Sequence, residues 1–246
     1  MNSPFLSIVI PAFNEEKRIG KTLEEVAAYL ESSPFPAEII VVDDGSIDNT
    51  VKISKEIAQR CNLCLQVIQN DKNEGKGFAV KRGVLSANGD YIMFMDADHS
   101  TSIKELEKFL PWLQSGYDVV IGSRKTEGAS ILLHQPWYRE NMGKVFTILA
   151  NSLLRLNVSD ITCGFKCFSN SAAQNLFSRQ ILKDWSFDAE ILFLARQLGF
   201  RIKEIPVSWK DTPNTRVRLV KDAWKSLLGF LKIKLNQWKG LYSIKT

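Results

Sequence analysis

The amino-acid sequence predicts an α/β protein: a mostly parallel sheet flanked by helices, followed by an amphipathic helical tail. Three observations carry that prediction. In the first half, short apolar runs alternate with stretches of helical period, which is the pattern of successive βαβ units. Polar and glycine residues come directly after each apolar run, at the position where an open parallel sheet presents its strand ends. Residues 201–246 hold 11 Lys/Arg against 3 Asp/Glu, with apolar residues recurring at helical spacing.

Leu6 to Ile10 reads as a buried strand, and Ile19, Leu23, Val26, Ala27 and Leu30 after it fall on one helical face. A second strand covers Ile39 to Val42. The helix that follows begins near Asp48, Asn49 or Thr50, each a good cap. Leu65 to Ile68 is a third strand, Phe78 to Leu85 a helix and Tyr91 to Met95 a fourth strand. After Val119 to Gly122 the alternation stops and a longer, mostly helical region follows; Arg201 to Val207 is the last strand. The 246 residues divide into a domain at 1–212 and a basic amphipathic tail at 213–246.

With 45% hydrophobic and 24% charged residues the chain can build a large core, which excludes a disordered or fibrous protein. The net charge of +5 is uneven: +8 over residues 201–246 leaves −3 for the remaining 21 basic and 24 acidic residues. Such a tail faces an anionic partner, a membrane surface or nucleic acid. It lacks base-stacking loops and a groove of mixed Arg and aromatic residues, which counts against nucleic acid. Cys61 with Cys64 and Cys163 with Cys167 read as reduced thiols rather than a zinc site, with Cys64 on the apolar side of a strand. No leader and no apolar run of eighteen residues is visible, so a peripheral protein on the cytoplasmic side of a membrane is expected.

Asn14-Glu15, Asp43 to Ser46, Asn73 to Gly77 and Asp96-Ala97-Asp98 should meet at one rim of the sheet. Two carboxylates separated by one residue at a strand end offer hard oxygen ligands that suit Mg²⁺ or Mn²⁺. The alternative is a cap plus a turn. His99 reads as a partly exposed loop histidine. Asp43-Asp44-Gly45-Ser46 can accept hydrogen bonds from a base or ribose, or form a turn and a helix cap.

Pro11 to Glu16, Asp43 to Thr50, Asn73-Glu74-Gly75-Lys76-Gly77 and Asp96-Ala97-Asp98 together resemble family 2 glycosyltransferases of the GT-A fold, a Rossmann-like arrangement. Gly122-Ser123-Arg124, Asp160 to Lys166 and Trp185 to Glu190 resemble the polyprenyl-phosphate branch of that family, and within it the dolichyl-phosphate β-glucosyltransferases. The resemblance runs from about Leu6 to the tail. It implies that Pro11, Ala12, Asn14, Glu15, Asp43 and Asp44 surround the nucleoside, that Lys76 lies near the donor, and that Asp96 and Asp98 handle ribose, diphosphate and metal. It further implies that Arg124 and Arg139 contact an acceptor phosphate, that Asp160 and a Gly164-Phe165-Lys166 turn line the acceptor side, and that Asp188 and Glu190 sit near the transferred sugar. For the last two, a first-turn helix charge pair is the competing reading. Ser100 and Gly143 stand where mannosyl-transferring relatives carry glutamine and serine, which counts against mannose.

The implied reaction is transfer of a hexose, glucose from UDP-glucose, onto a polyprenyl or dolichyl phosphate with inversion, with another sugar, mannose or GlcNAc, as the alternative. A lipid phosphate is already anionic at neutral pH and needs little general-base help. A saccharide acceptor would need a carboxylate base, for which Asp188 or Asp160 would serve. A nucleotide-sugar-binding protein without turnover is a third reading, opposed by the Asp96/Asp98 pair. In the tail, Val220, Ala223, Trp224, Leu227, Leu231, Leu235 and Trp238 share a helical face opposite Lys221, Lys225, Lys232 and Lys239, as suits a membrane interface or packing on the domain. Leu133 through Leu156 is another apolar helix-like stretch that could lie beside it.

Overall fold

The computed structural model describes residues 3–133, 137–211 and 219–243; the side chains of 137–139 and 219–226 lie outside that description. The expected βαβ succession forms: β1 (Leu6–Ala12), α1 (Ile19–Glu31), β2 (Ala37–Asp43), α2 (Thr50–Arg60), β3 (Leu65–Gln69), α3 (Lys76–Ser86) and β4 (Tyr91–Met95). A 3₁₀ turn at Ile103–Lys108 and α4 (Leu110–Gln114) lead to β5 (Val119–Ser123). Then come β6 (Ser130–Leu133), α5 (Trp137–Leu154), β7 (Phe165–Ser169), α6 (Asn170–Arg179), α7 (Phe187–Gln197), β8 (Ile202–Pro206), β9 (Ser208–Lys210) and α8 (Leu219–Trp238).

Seven strands form one sheet in the order β3-β2-β1-β4-β7-β5-β8, parallel except for β7, which runs antiparallel to both neighbours. Here the sequence reading needs correction. Residues 165–169 are a central strand and not a turn within a helical region, because Phe165, Cys167 and Phe168 are apolar enough to be buried between β4 and β5. β6 and β9 add a small parallel ribbon, with Ser208 to Lys210 bending away from β8.

Side chains alternate between the two faces of the sheet. Ile8, Ile10, Ile39, Val41 and Met93 pack with α1 and α4, while Val9, Ile40, Val42, Ile92 and Phe94 pack with α3, α6 and α7. Each fully buried aliphatic or aromatic side chain contributes about 1.5–3 kcal/mol, so both faces fix the strand ends firmly. All four cysteines are free, and Cys64 is exposed just before β3 rather than on its apolar side. Burial pushes the Cys163 thiol up to about 11 and the Cys167 thiol up to about 12, so neither is reactive at neutral pH.

α8 lies against α5 and contributes Phe230 and Ile233 to the core beside α7. Its opposite face carries the expected Leu231, Leu235 and Trp238, now 48%, 50% and 87% exposed, together with Leu228. Val145, Ile148 and Leu149 of α5 are exposed as well. The expected packing on the domain is met by Phe230 and Ile233, while the outer face stays exposed. Among the described residues no helix is long and apolar enough to cross a membrane. The side chains of Val220, Lys221, Ala223, Trp224 and Lys225 lie outside the described residues.

Candidate active site

The strand order reverses between β2 and β4 around β1, and ligands of open α/β sheets bind in the crevice at that point. The polar clusters after β1, β2, β3 and β4 gather there, stitched together by side chain to backbone hydrogen bonds. Asn14, in the left-handed region at φ 51°, accepts from the Ile47 amide at 2.8 Å and donates its own amide to the Ser46 hydroxyl at 2.7 Å. The Glu15 amide donates to Thr50 Oγ1 at 2.7 Å, and the Glu15 carboxylate holds Arg18 through two bonds of 2.5 and 2.6 Å. Pro11 and Ala12 end β1, with the Ala12 carbonyl accepting from the Asp44 amide at 2.8 Å.

Asp43 accepts weakly from the Ser46 amide at 3.3 Å. Asp44 is more heavily committed. Its carboxylate accepts from Asn70 Nδ2 at 2.6 Å, the Glu74 amide at 2.9 Å and the Gly75 amide at 2.8 Å, which fixes the loop leading into α3. The structure thus assigns Asp44 to holding the rim together. The start of α2 takes its side-chain bond from Asp48, whose Oδ1 accepts from the Thr50 amide at 3.0 Å.

Lys76, the first residue of α3, reaches Asp96 at 2.5 Å, and its ammonium lies 5.0 Å from the centre of the Trp185 ring. Burial opposes the lysine charge, but Asp96 and Asp188 outweigh it and the Lys76 pKa is raised. Asp96 and Asp98 flank the buried Ala97 at the end of β4. Asp96 rests on Gly164, where a Cβ would stand 1.9 Å from Oδ2, so a side chain there would displace the Asp96 carboxylate. Burial and then the like charge of Asp96 raise the Asp98 pKa, while its Oδ1 accepts from the Ser100 amide at 3.0 Å. His99, at φ 56°, pairs through Nε2 with Glu25 of α1. Among the described residues no group of three or more His, Cys, Asp or Glu side chains forms a metal cage.

Beyond β5 the site is built from ion pairs whose carboxylates are buried. Arg124 grips Asp160 with two parallel bonds, Nε to Oδ2 at 2.6 Å and Nη2 to Oδ1 at 2.8 Å, and also donates to Thr162 Oγ1 at 2.9 Å. Although burial would raise it, Asp160 is held down at about 2 by that guanidinium. Asp96 lies within electrostatic reach of Arg124 too. Asp188 accepts from Lys166 at 2.5 Å, both groups are buried, and Lys166 also donates to the Cys163 carbonyl at 2.6 Å. Burial raises the Asp188 pKa, opposed by Lys166 and Lys76. Glu190 faces away from this cluster, toward the loop at 181–182 and Tyr242. Arg139 lies on α5, with its side chain outside the described residues.

The sequence reading misses the pairing of Lys166, which it places in an acceptor-side turn, and misses Trp209 and Glu204 altogether. Lys166 is the buried partner of Asp188, Trp209 of β9 packs 5.3 Å under Arg124, and Glu204 of β8 accepts from the Ser159 and Asp160 amides at 2.8 and 3.0 Å. A lysine inside the apolar run Phe165 to Phe168 and a glutamate inside Ile202 to Ile205 were the available signals.

The profile described as Glycosyl transferase family 2 matches residues 7–177. The chain belongs to that family. It is 34% identical over 252 residues to a dolichyl-phosphate beta-glucosyltransferase of Trichomonas vaginalis, covering 98% of this chain and 74% of the relative. Against the human dolichyl-phosphate beta-glucosyltransferase it is 33% identical over 225 residues, covering 86% of this chain and 69% of the relative. As a fold, this family 2 glycosyltransferase is similar to mannosyl-3-phosphoglycerate synthase from Rubrobacter xylanophilus, with a TM-score of 0.71, 19% identity, and 99% and 77% of the two chains covered. Glucosyl-3-phosphoglycerate synthase from Mycobacterium tuberculosis, crystallised with Mn²⁺ and UDP, gives a TM-score of 0.65 at 19% identity over 94% and 80% of the chains. The GT-A architecture expected from the sequence is the one observed.

Proposed function

We propose that this family 2 glycosyltransferase moves glucose from UDP-glucose onto a polyprenyl phosphate of the dolichyl type, inverting the anomeric centre. The observation that carries the acceptor assignment is the commitment of the two candidate bases. Asp160 is consumed by Arg124 and Asp188 by Lys166, each carboxylate buried, which leaves neither placed to take a proton from a sugar hydroxyl. A phosphate oxygen needs no such base, and a guanidinium fixed by a carboxylate is a preorganised partner for it.

Asp96 and Asp98 fit a hard divalent cation by the chemistry of their donor set and would hold it. A bound Mg²⁺ or Mn²⁺ would supply positive charge where the nucleoside diphosphate departs. On this reading Lys76 pairs with Asp96 at the donor phosphates, Pro11, Ala12, Asn14, Glu15 and Asp43 border the nucleoside, and Arg124 with Arg139 orients the acceptor. Asp160 and Asp188 act through Arg124 and Lys166. Residues 213–246 form the membrane-facing tail, pinned to the domain by Phe230 and Ile233, and present Leu228, Leu231, Leu235 and Trp238 to the cytoplasmic surface of a membrane.

The deciding assay offers UDP-glucose, UDP-GlcNAc and GDP-mannose with a short polyprenyl phosphate. Glucose transfer is expected, abolished by chelator, restored by Mn²⁺ or Mg²⁺, and lost in a folded Asp98→Ala variant. Transfer to free saccharides with no use of the lipid phosphate would overturn the acceptor assignment.

A further inference from the structure

Glu190 is buried on α7 and takes no part in the cluster around Lys76 and Arg124. Its carboxylate accepts from the Ile181 amide at 3.1 Å, the Leu182 amide at 2.9 Å and the Tyr242 hydroxyl at 2.7 Å. One side chain therefore joins the segment after α8 to the loop before α7. That loop is the wall of the α3 N-terminus: Gln180 Nε2 donates to the Gly77 carbonyl at 2.9 Å, and the Phe78 amide donates to the Lys183 carbonyl at 3.2 Å. Lys183 also reaches Glu74 at 2.8 Å, and Trp185 packs beside the Lys76 ammonium.

A second point of contact comes from α8 itself. Gly229 approaches Ser186, the residue before α7, so closely that a Cβ would stand 2.1 Å from its hydroxyl oxygen. Helix α8 thus bears on the 180–187 loop at Gly229 and, through Tyr242, at Glu190.

We propose that Glu190 and Tyr242 form a strut by which the C-terminal helix positions the 180–187 loop against Gly75–Phe78, and so fixes Lys76 for the sugar-nucleotide. Glu190 is a positioning residue in this scheme, and the proposal rests on the donor reading of the rim given above. A carboxylate suits the task because two oxygens accept three hydrogen bonds, whereas the amide of glutamine offers one acceptor oxygen. Without the strut the loop keeps its own bonds to α3 but loses the fixed point that sets its distance from α7.

The test uses the full chain with Tyr242→Phe and Glu190→Gln, reading UDP affinity by titration, kcat and donor KM with a short soluble lipid phosphate, and amide exchange. Tyr242→Phe is expected to keep the thermal transition of the wild type, raise the UDP Kd and donor KM about tenfold, and change kcat less than threefold. Glu190→Gln should do the same more strongly, with faster exchange at Ile181 and Leu182. A fall in kcat at unchanged donor KM and UDP Kd, in step with a loss of folded protein, would make the pair merely structural and overturn the proposal. Unchanged exchange at Ile181 and Leu182 in both variants would overturn it as well. Failure of the wild type to bind UDP would instead strike the donor reading, and the exchange experiment would still decide whether the strut exists.

Discussion

The two halves of the sheet rim hold their polar residues by different physics. From β1 to β4, carboxylates and amides accept from backbone N–H groups of neighbouring loops, as Asp44 does from Glu74 and Gly75 and Asn14 from Ile47. From β5 onward the same task falls to ion pairs between distant residues, Arg124 with Asp160 and Lys166 with Asp188. The first arrangement costs little, because each neutral donor would otherwise seek water. The second buries both carboxylates and Lys166, with Arg124 partly exposed, and each pair is stable only while both partners are present. A site assembled this way keeps an arginine rigid at the price of vulnerability to single substitutions.

The largest effect should follow from breaking the deeper pair. Lys166→Met leaves Asp188 buried beside Asp96 without its cation, and a loss of about 3–5 kcal/mol in unfolding free energy is expected. The double variant Lys166→Met/Asp188→Leu should recover most of that loss in urea unfolding while remaining impaired in turnover. Asp44→Asn, from the other half, should cost only about 1–3 kcal/mol by losing acceptor capacity toward backbone amides. Equal costs in the two halves would erase the distinction.

Arg124 comes next. Its replacement by alanine should weaken use of lipid phosphate by about 1.5–3 kcal/mol, the range for a hydrogen bond to a charged group, with UDP affinity near wild type. A fall in UDP affinity instead would move Arg124 to the donor side.

Acid should act more gently, and within the β5-onward half it should separate the two ion pairs. The folded Asp160 pKa lies at about 2, below the ordinary 3.8, so its contribution is complete above about pH 4 and lost as pH falls through 2. That shift corresponds to about 2 kcal/mol. Asp188 works in the opposite sense: its pKa is raised, so its stabilising share is present at low pH and fades as pH rises through the folded value. Urea midpoints between pH 5 and 2 should therefore fall more steeply in the wild type than in Asp160→Asn. Matching slopes would show that the pair does not set acid stability.

The same contrast explains what the sequence made legible. The β1 to β4 half was readable because every polar cluster follows an apolar run, and parallel topology sends all strand ends to one edge. The strand at Phe165–Ser169 was hidden by its antiparallel insertion between β4 and β5, a tertiary choice that no local periodicity encodes. The partners of Lys166 and Glu204 were hidden as well, since a single charge in a short strand looks like a solvent-facing residue until the partner is known. Asp160, Asp188 and Glu190 were found by motif, yet their carboxylates turn to protein partners, which spacing alone does not reveal.

The smallest effects are expected on the outer face of α8, a helix that repeats the contrast between buried and exposed chemistry. Phe230 and Ile233 face the core, and truncating either to alanine should cost about 2–5 kcal/mol of stability by leaving a cavity. Removing everything after residue 212 would combine those losses with that of the Glu190 to Tyr242 bond, so truncation destabilises the domain and says little about lipid. The outer face gives the cleaner experiment. Leu231→Ser, Leu235→Ser and Trp238→Ser alter side chains that are already exposed, so the thermal transition should hold. Each should weaken vesicle association by roughly 1 kcal/mol, about half the value of burying a whole apolar side chain. Lys232 and Lys239 should add about 1 kcal/mol apiece on anionic vesicles only, and that part should disappear as ionic strength rises. Vesicle binding that survives the triple serine variant, or that vanishes entirely in salt, would remove the apolar stripe from the membrane contact and leave the lysines as its whole basis.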